Sequence, residues 1–133
     1  MGVWGAGNFE NDIANDMIYE LCEPLFVQIQ RTMSDERLME PDEPDSTEMF
    51  VNMEVLIRLA DIYGFGYFLE DGNEKGANEI AEWKAKYLEV WDGHIDKLQP
   101  KPDHKRDRRL AIIDTFDRFE QAVCKAVNLP DDD

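Results

Sequence analysis

Basic residues are scarce in this 133-residue chain: 14 Lys and Arg stand against 30 Asp and Glu, a formal net charge of −16. A surface that negative repels phosphate backbones and anionic headgroups, which argues against free nucleic acid and membranes as partners and favours basic protein surfaces. Cysteine is nearly absent. Cys22 and Cys124 are too few and too far apart for a secreted disulfide framework or a zinc knuckle. Both fall within apolar helical patterns and read as buried, reduced thiols, with a single disulfide between them as the alternative. Histidine is limited to His94 and His104, and neither HExxH nor a Glu-x-x-His pair occurs, so helical zinc and di-iron sites lack their ligands. No run approaches 18 apolar residues, and Met1 to Ala6 carries neither a basic leader nor an apolar core, so the expectation is a cytoplasmic chain without a membrane span. Gly2 invites N-myristoylation, but Ala6 stands where that signal requires Ser or Thr. No cofactor is expected.

What is present points to a folded helical domain. Hydrophobic residues make up 43% and aromatics 11%, more than a disordered acidic tail carries, and a chain of this size buries about two-thirds of its unfolded surface. Residues 1–11 are punctuated by glycine and carry Trp4 and Phe9, the pattern of an ordered arm anchored by its aromatics. Asn11 or Asp12 can cap a first helix in which Ile13, Met17, Leu21, Leu25, Ile29 and Met33 recur every fourth residue, with Pro24 expected to kink or divide it. Residues 39–46 form an acidic, Pro-rich loop ending in Asp45 or Ser46 as N-cap. A second helix, about residues 47–63, carries Phe50, Met53, Ile57 and Ala60 on one stripe and Val51, Val55, Leu59 and Ile62 on another, so it reads as nearly surrounded, with Glu54, Arg58 and Asp61 on a narrow polar strip. After a loop bearing Phe65, Tyr67 and Phe68, a third helix over about 77–98 turns Ile80, Trp83, Tyr87, Trp91, Ile95 and Leu98 inward, weakened near Gly93. Beyond Pro100 and Pro102 a fourth helix carries Ile112, Phe116, Phe119, Val123 and Ala126, and residues 130–133 should fray. No segment alternates with a period of two. The expectation is one all-α domain over residues 1–133, a bundle of four main helices packed around Leu21, Met53, Ile57, Trp83, Trp91 and Phe116, with a glycine-rich N-terminal arm.

Motifs that carry chemistry are few. Gly5 and Gly7 are neither preceded by a strand nor followed by Gly-Lys-Ser/Thr, so no nucleotide fingerprint is met. Asp71 to Glu82 matches a calcium loop at its first, third, sixth and twelfth positions. Lys75 at the fifth and Asn78 at the eighth break the pattern, and a turn into an N-capped helix fits better. Thirty carboxylates bring acids together by chance, so adjacent acids are no sign of acid–base chemistry. Charge distribution is more informative: residues 1–100 hold 22 acids and 7 bases, residues 101–133 hold 8 and 7, and five of those bases lie within Lys101 to Arg109. That run is expected to pair with neighbouring acids, with an anion-binding patch as the alternative.

The opening Gly2-x-Trp4-Gly5-x-Gly7-x-Phe9-Glu10-Asn11-Asp12 resembles the N-terminal signature of an uncharacterised bacterial family, a domain of unknown function whose members begin Trp-Gly-x-Gly-x-Phe-Asp/Glu-Asn-Asp. That family tends to have an alanine-rich second helix with an internal Glu; Glu54 sits in the comparable place here, among larger apolar residues. The resemblance implies a small helical bacterial protein and brings no activity with it. Trp4, Phe9, Asn11, Asp12 and Glu54 are accordingly scaffold, or the lining of a ligand pocket.

These observations favour a non-enzymatic, protein-binding module of immunity or inhibitor type that masks a basic partner such as a toxin nuclease, with Asp42, Glu43, Asp45 and Glu48 as the leading contact. The alternative is a small hydrolase or metal-assisted enzyme using Asp12, Glu54 and His94.

Overall fold

In the computed structural model, residues 5–8, 10–63 and 74–127 are described; the side chains of residues 62, 63, 74–77 and 124–127 are not. The described residues form four long helices, α1 (Asp12–Met33), α2 (Pro44–Tyr63), α3 (Glu74–His94) and α4 (Pro102–Val127). Short 3-10 turns, Glu36–Met39 and Ile95–Leu98, follow α1 and α3. There is no strand among the described residues. The expected all-α, four-helix bundle is therefore present.

Each helix begins where its end groups can be satisfied. Asn11 is extended and its Oδ1 accepts from Ala14 N at 2.9 Å, an N-cap for α1. α2 and α4 open on Pro44 and Pro102, whose missing N–H costs nothing in a first turn. α3 ends one residue after Gly93 and tightens into a 3-10 turn closed by Gln99, whose φ of 53° is left-handed. Pro100 follows directly, so the chain cannot continue as helix.

Contacts set the topology. Gln28 pairs with Asn52 and Thr32 with the Asp45 carbonyl, so α1 and α2 run antiparallel. Lys84 meets Asp117 and Asp92 meets Arg109, so α3 and α4 are antiparallel too. Phe50 stacks edge-on to Phe116 at 5.7 Å and Glu54 binds Arg118, which makes the neighbours α2 and α4 parallel. Phe26 and Trp83, 6.1 Å apart, join α1 to α3. The centre holds Ile29, Met39, Met49, Met53, Leu56 and Ile112, together with Tyr87, Trp91, Phe116 and Phe119, all essentially sealed from solvent.

Several expectations fail in instructive ways. Leu21, placed in the core by its spacing, is 66% exposed, as are Ile13 and Met17 in like degree. A strict four-residue repeat advances 400° per step and so drifts about 40° each time around a 3.6-residue helix. The buried row is Ile18, Cys22, Phe26, Ile29 and Met33, whose steps of four, four, three and four keep it on one face. Pro24 neither ends nor divides α1: it sits on the exposed face, where the Glu20 carbonyl it leaves unpaired faces water. α2 starts at Pro44, not after Ser46, so neither Asp45 nor Ser46 caps it and the acidic loop is shorter than residues 39–46. Ser46 is instead buried in the first turn with its hydroxyl hydrogen-bonded to that of Tyr87. Val51 and Val55 lie on the open side of α2, which is therefore not surrounded. α3 spans Glu74–His94 rather than 77–98, and Leu98, expected inside, is exposed on the 3-10 turn. Trp83 is partly buried. Cys22 is a buried free thiol whose pKa desolvation raises, which leaves it protonated and inert. Trp4, Phe9, Phe65, Tyr67, Phe68, the Cys124 side chain and the tail 130–133 lie outside the described residues.

Buried polar groups between α1 and α2 are fully partnered. Asn52 Nδ2 donates to Gln28 Oε1 at 2.8 Å, Gln28 Nε2 donates to Thr32 Oγ1 at 3.0 Å and to the Asp45 carbonyl at 3.1 Å, and Thr32 Oγ1 donates to the Gln28 carbonyl at 3.0 Å. Asn52→Ala leaves the buried Gln28 Oε1 without its donor and should cost about 1–3 kcal/mol, whereas Gln28→Leu with Asn52→Leu removes both partners and should cost clearly less. Urea melts of the three proteins check this, and an equal loss in both would show that the network is not the source of the effect.

Candidate functional site

The acidic segment after α1 is organised rather than loose. Asp35 caps the 3-10 turn by accepting from Arg37 N at 3.0 Å, and Glu43 N bonds the Glu40 carbonyl at 3.1 Å. Asp42 and Glu48 are exposed and Glu43 is half-buried, while Asp45 is partly committed to Arg31 at 3.6 Å. Glu40 approaches His94 Nδ1 at 3.2 Å, which ties this segment to the end of α3. The four expected contact acids, Asp42, Glu43, Asp45 and Glu48, therefore share one short stretch, with Asp42 and Glu48 the most available to a partner.

A second acidic surface lies on the outer side of α1. Asp12, Asp16 and Glu20 are exposed, and Ile13, Met17 and Leu21 are exposed beside them. Each apolar residue follows an acid by one position, a rotation of about 100°, so the two sets form adjacent ridges along three turns of helix. Glu23 extends the acidic ridge.

The third feature is a cleft of about 520 Å³ between α2 and α4. Phe50, Val51 and Val55 give it an apolar floor, and Arg58, Arg108 and Glu54 stand around it. Glu54 is held by Arg118, whose Nη1 donates to Oε2 at 3.1 Å while Nη2 donates to Oε1. Arg118 Nε also donates to Asp114 at 2.8 Å. That guanidinium pulls the Glu54 carboxyl below the usual carboxylate range and is itself pushed up. Glu54 is thus an ionised anchor between two helices, poorly suited to general-acid work.

The residues of the alternative enzyme site do not converge. Asn52 is level with Gln28, so Asp12 and Asn11, at the far end of α1, are separated from Glu54 by about 20 Å of helix axis. Asn11 is engaged as a cap, and His94 lies at the C-terminal end of α3 against Glu40. Among the described residues no three His, Cys, Asp or Glu side chains are grouped to hold a metal ion. The calcium-like segment enters α3 at Glu74, so its backbone from there on is helical and not that of a calcium loop.

Most of the basic run pairs as expected. Lys105 reaches Asp96 at 2.7 Å, Arg106 reaches Asp107 at 3.3 Å and Asp103 at 3.6 Å, and Arg109 grips Asp92 with two bonds of 2.9 Å. The Arg109 guanidinium lowers the Asp92 pKa. Arg108 is different: it lies over the Phe50 ring, 5.1 Å from its centroid, with no carboxylate ion pair among the described residues. Its position carried a signal, because Arg108, Ile112, Phe116 and Phe119 fall on one inward stripe, and a charge on such a stripe marks either a partner or a pocket rim.

No family model matches the chain, and neither a curated protein nor a solved structure does. Among the described residues no helix is long and apolar enough to cross a membrane.

Because Glu54 and Asp92 have lowered pKa values in the folded state, their ion pairs contribute stability above the ordinary carboxylate pKa of about 4 and lose it as pH falls through the lowered folded values. Both pairs are partly exposed, so Glu54→Gln should cost about 1 kcal/mol or less at neutral pH. Denaturant melts should show the two proteins converging as pH drops through the acid range; a gap that widens there would reverse the assignment.

Proposed function

We propose that this protein is a non-enzymatic binding module that masks a basic protein partner, in the manner of an immunity protein or inhibitor. The observation that carries this reading is the outer face of α1, where the acidic ridge Asp12, Asp16 and Glu20 runs beside the exposed apolar ridge Ile13, Met17 and Leu21. Acids alone serve solubility; large apolar side chains left in water beside them do not, and together they suit a partner that offers cationic side chains around an apolar contact. The net charge of −16 would steer such a partner in and oppose self-association through the same surface. A nuclease face, itself shaped to attract phosphate, has the required sign. Asp42 and Glu48 extend the acidic surface beyond α1 and remain candidate contacts. The N-terminal signature supports a bacterial setting for such a pair.

The test is inhibition rather than capture alone. A basic protein encoded beside this chain in its native host should bind it, with affinity falling steeply between low and high salt, and lose its activity at one equivalent. Asp16→Lys with Glu20→Lys should slow association at least tenfold while Leu21→Ser, a change at an exposed site, should speed dissociation with the fold intact. Binding that is indifferent to salt and to all three substitutions would overturn the reading.

A further inference from the structure

Three of the four arginines of α4, Arg106, Arg109 and Arg118, hold carboxylates. In a chain where acids outnumber bases two to one, Arg108 holds none among the described residues and stacks on Phe50 instead. A cation–π contact consumes no N–H donor, and no hydrogen bond from the Arg108 guanidinium is made among the described residues, so its donors are open to a carboxylate. Arg108 belongs to the rim of the α2/α4 cleft, and Arg58, also without an ion pair among the described residues, lies on the same rim. The floor between them includes Val51, 56% exposed, and Val55, 40% exposed. Thr115 offers no competing donor, since its hydroxyl donates to the Ala111 carbonyl at 2.7 Å. Glu54, held by Arg118, also faces Arg58, whose charge helps lower its pKa. The rim thus carries one carboxylate against the guanidinium groups of Arg58 and Arg108, and among the described residues Arg108 is the one without a carboxylate. A volume of about 520 Å³ lies within the range of small-molecule sites.

We propose that the α2/α4 cleft binds a carboxylate that carries an apolar body, the carboxylate meeting Arg108 and Arg58 and the body lying on Val51 and Val55. The site is separate from the acidic face of α1 and does not depend on the partner described above. An apolar cation is excluded by the two guanidinium groups, and a bare anion gains nothing from the floor.

The probes are octanoate, octanol, octylamine and acetate, with N-acetyl-leucyl-leucine and its C-terminal amide to distinguish a free acid from a peptide terminus. Titrations of the full chain are followed by NMR at the Val51 and Val55 methyls and the Arg108 Nε–H. Octanoate or the free-acid dipeptide should shift these signals at least tenfold more tightly than octanol or the amide, and octylamine and acetate should not; the tighter of the two acids identifies the source. Arg108→Gln should weaken the acid at least tenfold, Arg108→Lys should restore part of the loss, and Val55→Ser, which adds no charge beside the arginines, should weaken octanoate while leaving acetate unaffected. An unchanged near-UV spectrum verifies that the variants fold. Equal binding of octanol, no effect of Arg108→Gln in a folded protein, or shifts confined to other residues would overturn the proposal. So would tighter octanoate binding after Asp131→Asn, Asp132→Asn and Asp133→Asn, which would make the cleft the seat of the chain's own acidic tail.

Discussion

The amide pair of Gln28 and Asn52 sets the register on which the rest of this bundle rests. Apolar helix faces slide past one another at little cost, whereas a buried amide has one position in which its donors and acceptors are all met. Gln28 meets Asn52, Thr32 and the Asp45 carbonyl only when α1 and α2 stand as they do. That register brings Ser46 to Tyr87, and Tyr87 in turn lies edge-on to Phe50 at 5.0 Å and beside Phe116. A polar pin between two helices thus reaches a third and a fourth through one buried phenol, whose pKa its burial raises.

Electrostatics divides the molecule into bases spent between helices and acids left in surplus on the surface. Lys84, Lys105, Arg109 and Arg118 are spent on pairs that staple α4 or its approach to α2 and α3. On α1 the acids Asp12, Asp16, Glu20 and Glu23 stand with one base, Arg31. Negative potential is therefore concentrated where the apolar side chains are also exposed, and one of the few unspent guanidinium groups sits in the cleft on the other side of α2.

The helices and most of their inward faces were legible because they obey one period: Ile80, Tyr87, Trp91, Ile112, Phe116 and Phe119 are all buried as their spacing requires. Leu21 was misplaced because a repeat of four was taken for a stripe when the helix turns in 3.6. Pro24 does not divide α1, whose helix runs through it on the exposed face where water can meet the carbonyl left unpaired. Gln28, Thr32 and Asn52 gave no hint, since a polar residue on a helix is ordinarily outside, and only the partner across the interface reveals that it is buried. Of the site, the acids Asp42 and Glu48 were visible as composition, while the ridge on α1 and the cleft needed three dimensions: the first depends on which face stays uncovered, the second on two helices far apart in sequence. Glu54 stands out in the sequence through the resemblance, whereas its pairing with Arg118, 64 residues on, carries no sequence signal.

The parallel arrangement of α2 and α4 has a consequence for the route by which the chain folds. Two helices that run the same way cannot be joined by a tight turn, so the contact between Phe50 and Phe116 closes a long loop, whereas α1 with α2 and α3 with α4 close short ones. Loop closure charges entropy in that order, so the two hairpins are the local units and their docking is the slow, non-local step. The first hairpin carries its own buried amides and the second its own ion pairs. Tyr87, reaching from the second into the first, is then the residue that registers whether the halves have met.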